Sequence, residues 1–234
     1  MDKLEIVSTG YKIAHNWNVI LFTLLALTGA VLFSIEVMGW LAYVVGAPFS
    51  ALLGTDSVTA GVQLLRSVHW FMGFVWGALL IVYAIHLLLF GRIEVFKPLS
   101  KPLSQQIKEM KAVASHYMLG KPLPPEVAKS LDRHNILVSY VTIVLIIAIT
   151  FLSISGVALV FKVPLGLSPS TLNLMVLLHD VGFVLGLLFV VLHLFAVSHP
   201  DNRPILMAMF GDGKVDLDWL KAHMPRFLER RGVK

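Results

Sequence analysis

The stretch TLNLMVLLHDVGFVLGLLFVVLHLFAVSH, residues 171–199, decides the fold of this chain. It is long and apolar enough to cross a bilayer as one helix, and it carries His179 and His193. Their separation of 14 residues is about 21 Å along a helix and about 40° short of four full turns. Both side chains therefore leave one face, near opposite membrane edges. Ionisable residues in spans usually have a functional partner, and imidazole is a common metal ligand, so we expect two stacked metal centres.

The composition is that of a polytopic membrane protein. Of the 234 residues, 57% are hydrophobic and 14% are charged, and the mean hydropathy is +0.80. Cysteine is absent, which excludes disulfides, thiolate-bound zinc, iron–sulfur clusters and covalently attached haem. Any metal must be held by histidine, carboxylate or thioether. The first apolar run lacks a small-residue cleavage site, so we expect it to be a retained helix.

Hydropathy predicts an all-α membrane protein with a four-helix transmembrane bundle that forms a single domain over residues 1–234. The predicted spans are 11–35, 64–90, 135–161 and 171–199, with a loop at 91–133 and a tail at 200–234. The apolar run at 40–53 contains Gly46 and Pro48 and is too short to span, so we expect a short interfacial helix after the first span. Short surface helices are predicted at 104–118 and 216–228.

The basic residues predict the orientation. The N-terminal segment up to Lys12, the loop and the tail hold 17 of the 19 Lys and Arg residues. Because basic segments favour the cytoplasmic side, we expect an inner-membrane protein with cytoplasmic N- and C-termini. On this topology His69 and His179 lie near the outer face, whereas His15 and His193 lie near the inner face.

Depth matching pairs these four histidines. A lone histidine in a membrane helix is more often a hydrogen-bonded core residue than a ligand. Here His69 can meet His179 near one surface, and His15 can meet His193 near the other. Without cysteine and with hardly any carboxylate inside the spans, two such pairs favour two b-type haems over zinc or a diiron centre.

A partial repeat links the second and fourth spans. His69-x3-Gly-Phe-Val-Trp-Gly is similar to His179-x2-Gly-Phe-Val-Leu-Gly, which indicates that the two helices face one another. The small residues of the repeat have two interpretations that stay open: close helix packing, or room for a flat macrocycle beside each histidine. These residues are Gly73, Gly77, Gly182 and Gly186.

The remaining polar residues have weaker interpretations. Arg66 precedes His69 by one turn and is either an ordinary interfacial arginine or a partner of a haem propionate. His86 points about 100° away from His69 and is expected to be a core or proton-relay residue. His134 competes for the inner site, although an interfacial role is its default. Three histidines in polar segments are expected to be solvated: His116, His199 and His223.

This pattern resembles the dihaem cytochrome b subunit of membrane-bound formate dehydrogenases and nickel–iron hydrogenases. The resemblance rests on His15 in the first span, Arg66-x-x-His69 opening the second, and His179-x13-His193 in the fourth. Thr28-Gly29 and the tail motif Met209-x-Gly-x-Gly-x-Val-Asp-x-x-Trp-x-x-x-His223 are also similar to that family.

The resemblance implies the ligand sets and the function. It implies that His15 and His193 hold the inner haem, that His69 and His179 hold the outer haem, and that Asn135 contacts a quinone. It further implies an electron-transfer subunit of a quinone-linked oxidoreductase complex. Its partners would be membrane lipid, an iron–sulfur subunit, a catalytic redox subunit and quinone, with no nucleic acid. The alternatives are a stand-alone quinol-oxidising cytochrome b and a haem-free, proton-coupled transporter.

Overall fold

The structure, a computed structural model, describes residues 2–90 and 93–233 and is almost entirely helical. Short 3-10 turns at Ala47–Phe49, Glu94–Ser100 and Pro200–Asn202 connect some of the helices. In chain order the elements are β1 (Lys3–Glu5), α1 (Thr9–Phe33), α2 (Ile35–Gly46), α3 (Ser50–Leu53), α4 (Ser57–Phe90), α5 (Leu103–Leu119), α6 (Pro125–Ala128), α7 (Ile136–Val160), α8 (Pro169–Ser198), α9 (Arg203–Phe210), β2 (Lys214–Asp216), α10 (Leu217–His223) and α11 (Pro225–Arg230).

Long apolar helices dominate the chain, and they confirm a multi-pass membrane protein. Five helical stretches of the described residues are long and apolar enough to cross a bilayer: Thr9–Phe33, Ile35–Leu53, Ser57–His86, Ile136–Val160 and Pro169–Ser198. Their outer faces expose large apolar side chains, as at Leu88, which is 73% exposed. A bilayer covers such a surface. The count of four spans is not confirmed, because Ile35–Leu53 also meets the length criterion.

The stretch Ile35–Leu53 lies directly against the start of α4. A Cβ atom added to Gly46 would come within 1.9 Å of the Ser57 carbonyl oxygen, and one added to Gly61 within 1.8 Å of the Ala42 carbonyl oxygen. Only glycine allows two backbones to approach this closely. The two glycines therefore fix the crossing of α2 and α4.

Helix α4 begins at Ser57, seven residues before the predicted start at 64. The backbone N–H groups of Val58 and Thr59 both donate to the Asp56 carboxylate over 3.0 Å. This is an N-cap, which satisfies donors that the first helical turn leaves open. Hydropathy missed the extension because the polar residues Ser57, Thr59 and Gln63 lower the apolar signal of the first turns.

The predicted helix in the tail, 216–228, is divided into α10 and α11. Pro225 begins α11 and has no N–H with which to continue α10. The structure also contains elements that the sequence did not predict, among them the helices α6 and α9 and the two-stranded antiparallel sheet in which Lys3 pairs with Asp216. The expectation of a purely α-helical chain is corrected to this extent. The surface helix predicted at 104–118 is confirmed as α5.

The chain divides into two compact units. The first unit consists of Met1–Ile13, Phe90–Ile147 and Leu185–Lys234. Its core packs the N-terminal segment against the tail and is formed by Ile6, Val7, Ala208, Val215, Leu220, Phe227 and Leu228. Because β1 and β2 also pair there, the residues before α1 and after α8 form one folded body.

The second unit consists of Ala14–Leu89 and Ala148–Val184. It contains most of α1, α2, α3 and α4, with the end of α7 and the first half of α8. One apolar cluster joins α1, α2 and α4 through the buried residues Val31, Ala42 and Leu65. This unit carries His69 and His179.

Candidate haem site

A cavity in the second unit lies between the two histidines. Its volume is about 90 Å³, and it is partly open to the outside. The wall is mainly apolar and is built by α1, α4, α7 and α8 through Phe22, Leu25, Ala26, His69, Gly73, Trp76, Gly77, Leu152, Ser153, His179 and Phe183.

His69 on α4 is held by a dipeptide on α1. The Oγ1 atom of Thr28 lies 2.9 Å from Nδ1 of His69. The neighbouring Gly29 leaves room for the ring, because a Cβ atom there would lie 3.1 Å from Cε1 of His69. Thr28 is buried, so solvent does not compete for the hydroxyl contact. The His69 ring is thereby fixed with its Nε2 side away from α1.

His179 on α8 is held in the same way by a dipeptide on α7. The Oγ atom of Ser155 lies 2.9 Å from Nδ1 of His179. A Cβ atom on Gly156 would lie 3.4 Å from Cε1 of the ring, at the near limit of van der Waals contact, so the ring packs directly on this glycine. Ser155 has no exposed surface. Ser155-Gly156 thus repeats on α7 the arrangement of Thr28-Gly29 on α1.

The two rings are spaced as axial ligands of one metal ion. Their centres are 6.1 Å apart and their planes make an angle of 69°. A metal–imidazole bond is about 2.0–2.1 Å long, so two histidines on opposite sides of one ion have ring centres roughly 6 Å apart once the ring radii are added. Both Nδ1 atoms are already engaged, which leaves the Nε2 atoms as the available ligands. The observed separation fits a bis-imidazole site.

The small number of protein ligands favours a metal ion that is bound mainly by a cofactor and only partly by the protein. Among the residues the structure describes, no group of three or more His, Asp or Glu side chains is placed to hold a metal ion. A zinc or diiron site needs such a group, whereas haem iron takes four nitrogens from its macrocycle and needs only two axial ligands. Two histidines on an apolar cavity therefore fit haem.

Some glycines of the repeat leave open space, as a macrocycle would require, whereas another serves close helix packing. A Cβ atom added to Gly73 or Gly77 would meet nothing within 4 Å, and both residues line the cavity. These two leave open space beside His69. At Gly182 a Cβ atom would lie 3.0 Å from Leu152 and 3.1 Å from the Ala148 carbonyl oxygen, so this glycine serves close packing of α7 on α8.

Trp76 forms a rigid part of the cavity wall. Its Nε1–H donates to Oδ1 of Asn18 over 2.9 Å, and Asn18 Nδ2 donates to the Ala14 carbonyl oxygen over 2.8 Å. Phe22 packs edge-on against the indole with ring centres 6.0 Å apart. A buried tryptophan needs such a partner for its N–H. Neither Trp76 nor Asn18 was predicted from the sequence as part of a site.

The predicted inner ligands lie in different units. His15 is half-buried on α1 in the second unit. His193 is half-buried on α8 in the first unit and stacks on Phe189, with ring centres 5.5 Å apart. Their pairing stays a prediction.

The positions of Arg66 and Asn135 are accounted for by ordinary structural roles, without a bound ligand. Arg66 is exposed on α4, three residues before His69. Asn135 caps α7, since its Oδ1 accepts a hydrogen bond from the Val138 N–H over 3.1 Å. The amide Nδ2 of Asn135 is the part of that side chain suited to donate to a quinone oxygen. Propionate binding by Arg66 and quinone binding by Asn135 stay predictions.

His86 and His134 lie in contrasting surroundings. His86 is exposed near the end of α4, so it is not the core residue that one interpretation expected. His134 lies just before α7, where burial above all, and then the charge of Arg133, lowers its pKa to about 4. His134 is therefore neutral at physiological pH.

Three tail and loop histidines are partly buried and take part in specific contacts, so the expectation that they are solvated is wrong. His116 contacts the Asp201 carboxylate through Nε2 over 2.6 Å and the Lys121 carbonyl oxygen through Nδ1 over 2.7 Å. His199 lies edge-on to Tyr117, with ring centres 4.6 Å apart. His223 stacks on Trp219, with ring centres 4.4 Å apart. Folding of the tail creates these contacts, and polarity alone does not predict them.

Two anchored imidazoles lie across an apolar cavity inside membrane-length helices, an arrangement that fits an intramembrane metal cofactor. The chain belongs to the prokaryotic cytochrome b561 family, whose family model matches residues 6–212. The match confirms the resemblance to the cytochrome b subunits of hydrogenases and formate dehydrogenases. The chain is thus a membrane b-type cytochrome of electron transfer, and the family implies haem b. No curated protein matches it.

Proposed function

We propose that this chain is the dihaem membrane-anchor subunit of an inner-membrane oxidoreductase complex. It moves electrons across the bilayer between a peripheral iron–sulfur module, of the hydrogenase or formate dehydrogenase type, and the quinone pool. The observation that carries the proposal is the spacing of His69 and His179, whose ring centres are 6.1 Å apart. Haem, when bound, supplies one-electron transfer.

The protein supplies the ligands, their orientation and a dry surrounding. His69 and His179 hold the outer haem, and Thr28 and Ser155 fix the two rings. The apolar wall, with Trp76 held in place by Asn18, excludes water and keeps the local dielectric low. Gly73 and Gly77 leave the space that a flat macrocycle requires.

The inner haem is assigned to His15 and His193. Along α8, His193 follows His179 on the same helix face. Two centres at these depths connect the two membrane surfaces without any moving part. We place quinone reduction or quinol oxidation near Asn135, at the start of α7. His134 beside it is neutral, because burial lowers its pKa to about 4, so it places no fixed charge next to the quinone.

The contacts of the first unit favour four spans. The N-terminal strand pairs with the tail. Arg133, before α7, donates to the Ile6 carbonyl oxygen over 2.9 Å. These contacts support a position of the N-terminal segment, the loop and the tail on one side of the membrane, and hence an even number of crossing helices between Thr9 and His86. Of the three candidates there, Ile35–Leu53 is the shortest, which supports an interfacial position for it.

A reduced-minus-oxidised visible spectrum with a pyridine haemochrome count tests the proposal. The detergent-purified protein should carry two b-type haems per chain, while His179→Ala and His193→Ala should each retain one. His86→Ala is the matched control, since His86 is an exposed histidine of α4, and it should retain both haems. A colourless wild type, expressed with ample haem, would instead favour the transporter alternative.

Co-purification distinguishes the anchor subunit from the stand-alone cytochrome. An anchor subunit should be isolated from native membranes together with an iron–sulfur protein and a catalytic subunit. The folded surface of the first unit, built from the loop and the tail, is where we place the contact. Isolation of the dihaem chain alone, with quinol oxidation intact, contradicts the anchor role.

A further inference from the structure

Thr28 and Ser155 each place one hydroxyl between a histidine and a backbone carbonyl. Oγ1 of Thr28 is 2.9 Å from Nδ1 of His69 and 2.8 Å from the carbonyl oxygen of Leu24. Oγ of Ser155 is 2.9 Å from Nδ1 of His179 and also contacts the carbonyl oxygen of Phe151. The same series of imidazole, hydroxyl and backbone carbonyl therefore occurs on both sides of the cavity.

The single proton of each hydroxyl decides the tautomer of the histidine. A carbonyl oxygen only accepts, so the short contact between Thr28 and Leu24 requires the hydroxyl proton to lie between those two oxygens. If that proton pointed at His69 instead, two oxygen lone pairs would face each other over 2.8 Å. The hydroxyl thus donates to the helix backbone and accepts from Nδ1–H of His69. The same reasoning applies to Ser155 and His179.

This tautomer has a consequence for the metal-binding nitrogen. With the proton on Nδ1, the lone pair of each ring is on Nε2, the atom that binds iron. A hydrogen bond from Nδ1–H raises the basicity of Nε2, and a more basic ligand favours the oxidised metal. Two consecutive hydrogen bonds, from Nδ1–H to the hydroxyl and from the hydroxyl to the carbonyl, strengthen this effect, because each hydrogen bond polarises the next.

We propose that Thr28 and Ser155 are positioning residues of the outer haem, which set the tautomers of His69 and His179 and lower the midpoint potential of that haem alone. The proposal rests on the proposed function, since it requires haem between these two histidines. It assigns to Thr28-Gly29 and Ser155-Gly156 a common role: the hydroxyl orients the ring, and the glycine gives it room.

Hydroxyl removal tests the proposal. Thr28→Val keeps the shape of the side chain and Ser155→Ala changes it little, and both remove the hydroxyl that contacts Nδ1. Thr28→Ser and Ser155→Thr retain the hydroxyl. Thr142→Val is the matched control, because its Oγ1 also donates to a carbonyl oxygen four residues earlier, over 2.8 Å, at an exposed site.

The readouts are haem content and a spectroelectrochemical redox titration of each haem. In Thr28→Val and Ser155→Ala we expect haem affinity to fall about 10–100-fold. We expect the outer-haem potential to rise, by about 59 mV for each tenfold change in the ratio of ferric to ferrous affinity. The inner-haem potential should not change. Thr28→Ser and Thr142→Val should behave as wild type.

Each outcome separates the two proposals. Unchanged potentials in haem-loaded Thr28→Val and Ser155→Ala would overturn this inference and leave the dihaem function intact. Loss of haem in both Thr28→Val and Thr28→Ser would show that Thr28 acts through packing, which also overturns it. Loss in Thr28→Val with recovery in Thr28→Ser supports it, since only the hydroxyl differs. A wild type without haem refutes the function itself.

Discussion

The buried carboxylate of Glu109 accepts a hydrogen bond from the backbone N–H of Ile136 over 2.8 Å, so a residue of α5 caps the first turn of α7. The same carboxylate forms an ion pair with Lys101. Glu109 is 3% exposed, and Ile136 is completely buried. The polar segment between the spans is thus attached to the start of a membrane helix by a desolvated charge.

We expect Glu109→Ala to destabilise the protein, because the mutation leaves the Ile136 N–H and the Lys101 ammonium without their buried partner. Loss of a buried hydrogen-bond partner costs about 1–3 kcal/mol, and more when the group is charged. Thermal unfolding in detergent measures the effect. Glu126→Ala is the control, because its ion pair with Lys108 is exposed and such pairs contribute little. Equal midpoints for the two variants would contradict the capping role.

We expect Gly77→Leu to abolish binding of the outer haem. The new side chain projects into the open space beside His69, where a Cβ atom alone meets nothing within 4 Å. The haem count should fall from two to one per chain while the protein still folds. Ala84→Leu, at an exposed position seven residues further along α4, is the control and should retain both haems. Full haem content in Gly77→Leu would show that the cavity is not the haem site.

Single cysteines test the topology, because the chain contains none of its own. Lys129→Cys and Asp218→Cys lie at exposed positions of the loop and the tail, and a membrane-impermeant thiol reagent should label both from the cytoplasmic side. Ala51→Cys and Lys162→Cys should be labelled from the opposite side. Cytoplasmic labelling of Ala51→Cys would mean that Ile35–Leu53 crosses the membrane.

The contact between His116 and Asp201 predicts a pH-dependent stability. Burial alone would lower the pKa of His116, but hydrogen bonds to Asp201 and Lys121 and the charge of Asp201 outweigh it, so the pKa is raised above 6.5. Native His116 therefore holds its proton more tightly than the unfolded chain does. The stabilisation is fully present below pH 6.5 and is lost as the pH rises through the raised pKa.

Asp201 sets the acid limit of the same contact. The hydrogen bond from His116 is the main cause that lowers its pKa below 3.8, so its contribution is lost only as the pH falls through the lowered value. The thermal midpoint of the wild type should exceed that of His116→Asn in mildly acidic buffer, and the two should converge in alkaline buffer. A constant difference at all pH values would contradict the assignment.

His134 predicts a pH dependence of the opposite sign. Its pKa is lowered to about 4, mainly by burial, so the native protein binds fewer protons than the unfolded chain between pH 6.5 and about 4. Stability should therefore fall as the pH drops through this range. His134→Gln should reduce the fall, as thermal midpoints between pH 4 and 7 would reveal. A wild-type midpoint that stays flat there contradicts the burial of His134.

The sequence predicted the long helices well because a bilayer imposes a simple rule of length and hydropathy. The predicted third span, 135–161, becomes Ile136–Val160, and the fourth, 171–199, becomes Pro169–Ser198. Where this rule failed, a specific contact determined the secondary structure. Asp56 caps α4 well before the apolar run begins, and the pairing of Lys3 with Asp216 needs residues far apart in the chain.

The site was only partly predictable. His69 and His179 could be picked out because histidine is rare in membrane helices and their depths match, and the structure brings their rings together. The hydroxyls of Thr28 and Ser155 carry no comparable signal, since most such residues simply bond to their own helix. The repeated dipeptides Thr28-Gly29 and Ser155-Gly156 are the signal in the sequence that marks these two hydroxyls.

The pairing of β1 with β2 constrains the order in which the protein can be built. Residues 3–5 leave the ribosome about two hundred residues before their partners, residues 214–216, are synthesised. The small core around Val7 and Leu220 therefore closes only after α8 has been made and inserted. Until then the N-terminal apolar side chains stay uncovered, and chaperones or the insertion machinery have a defined interval in which to engage them.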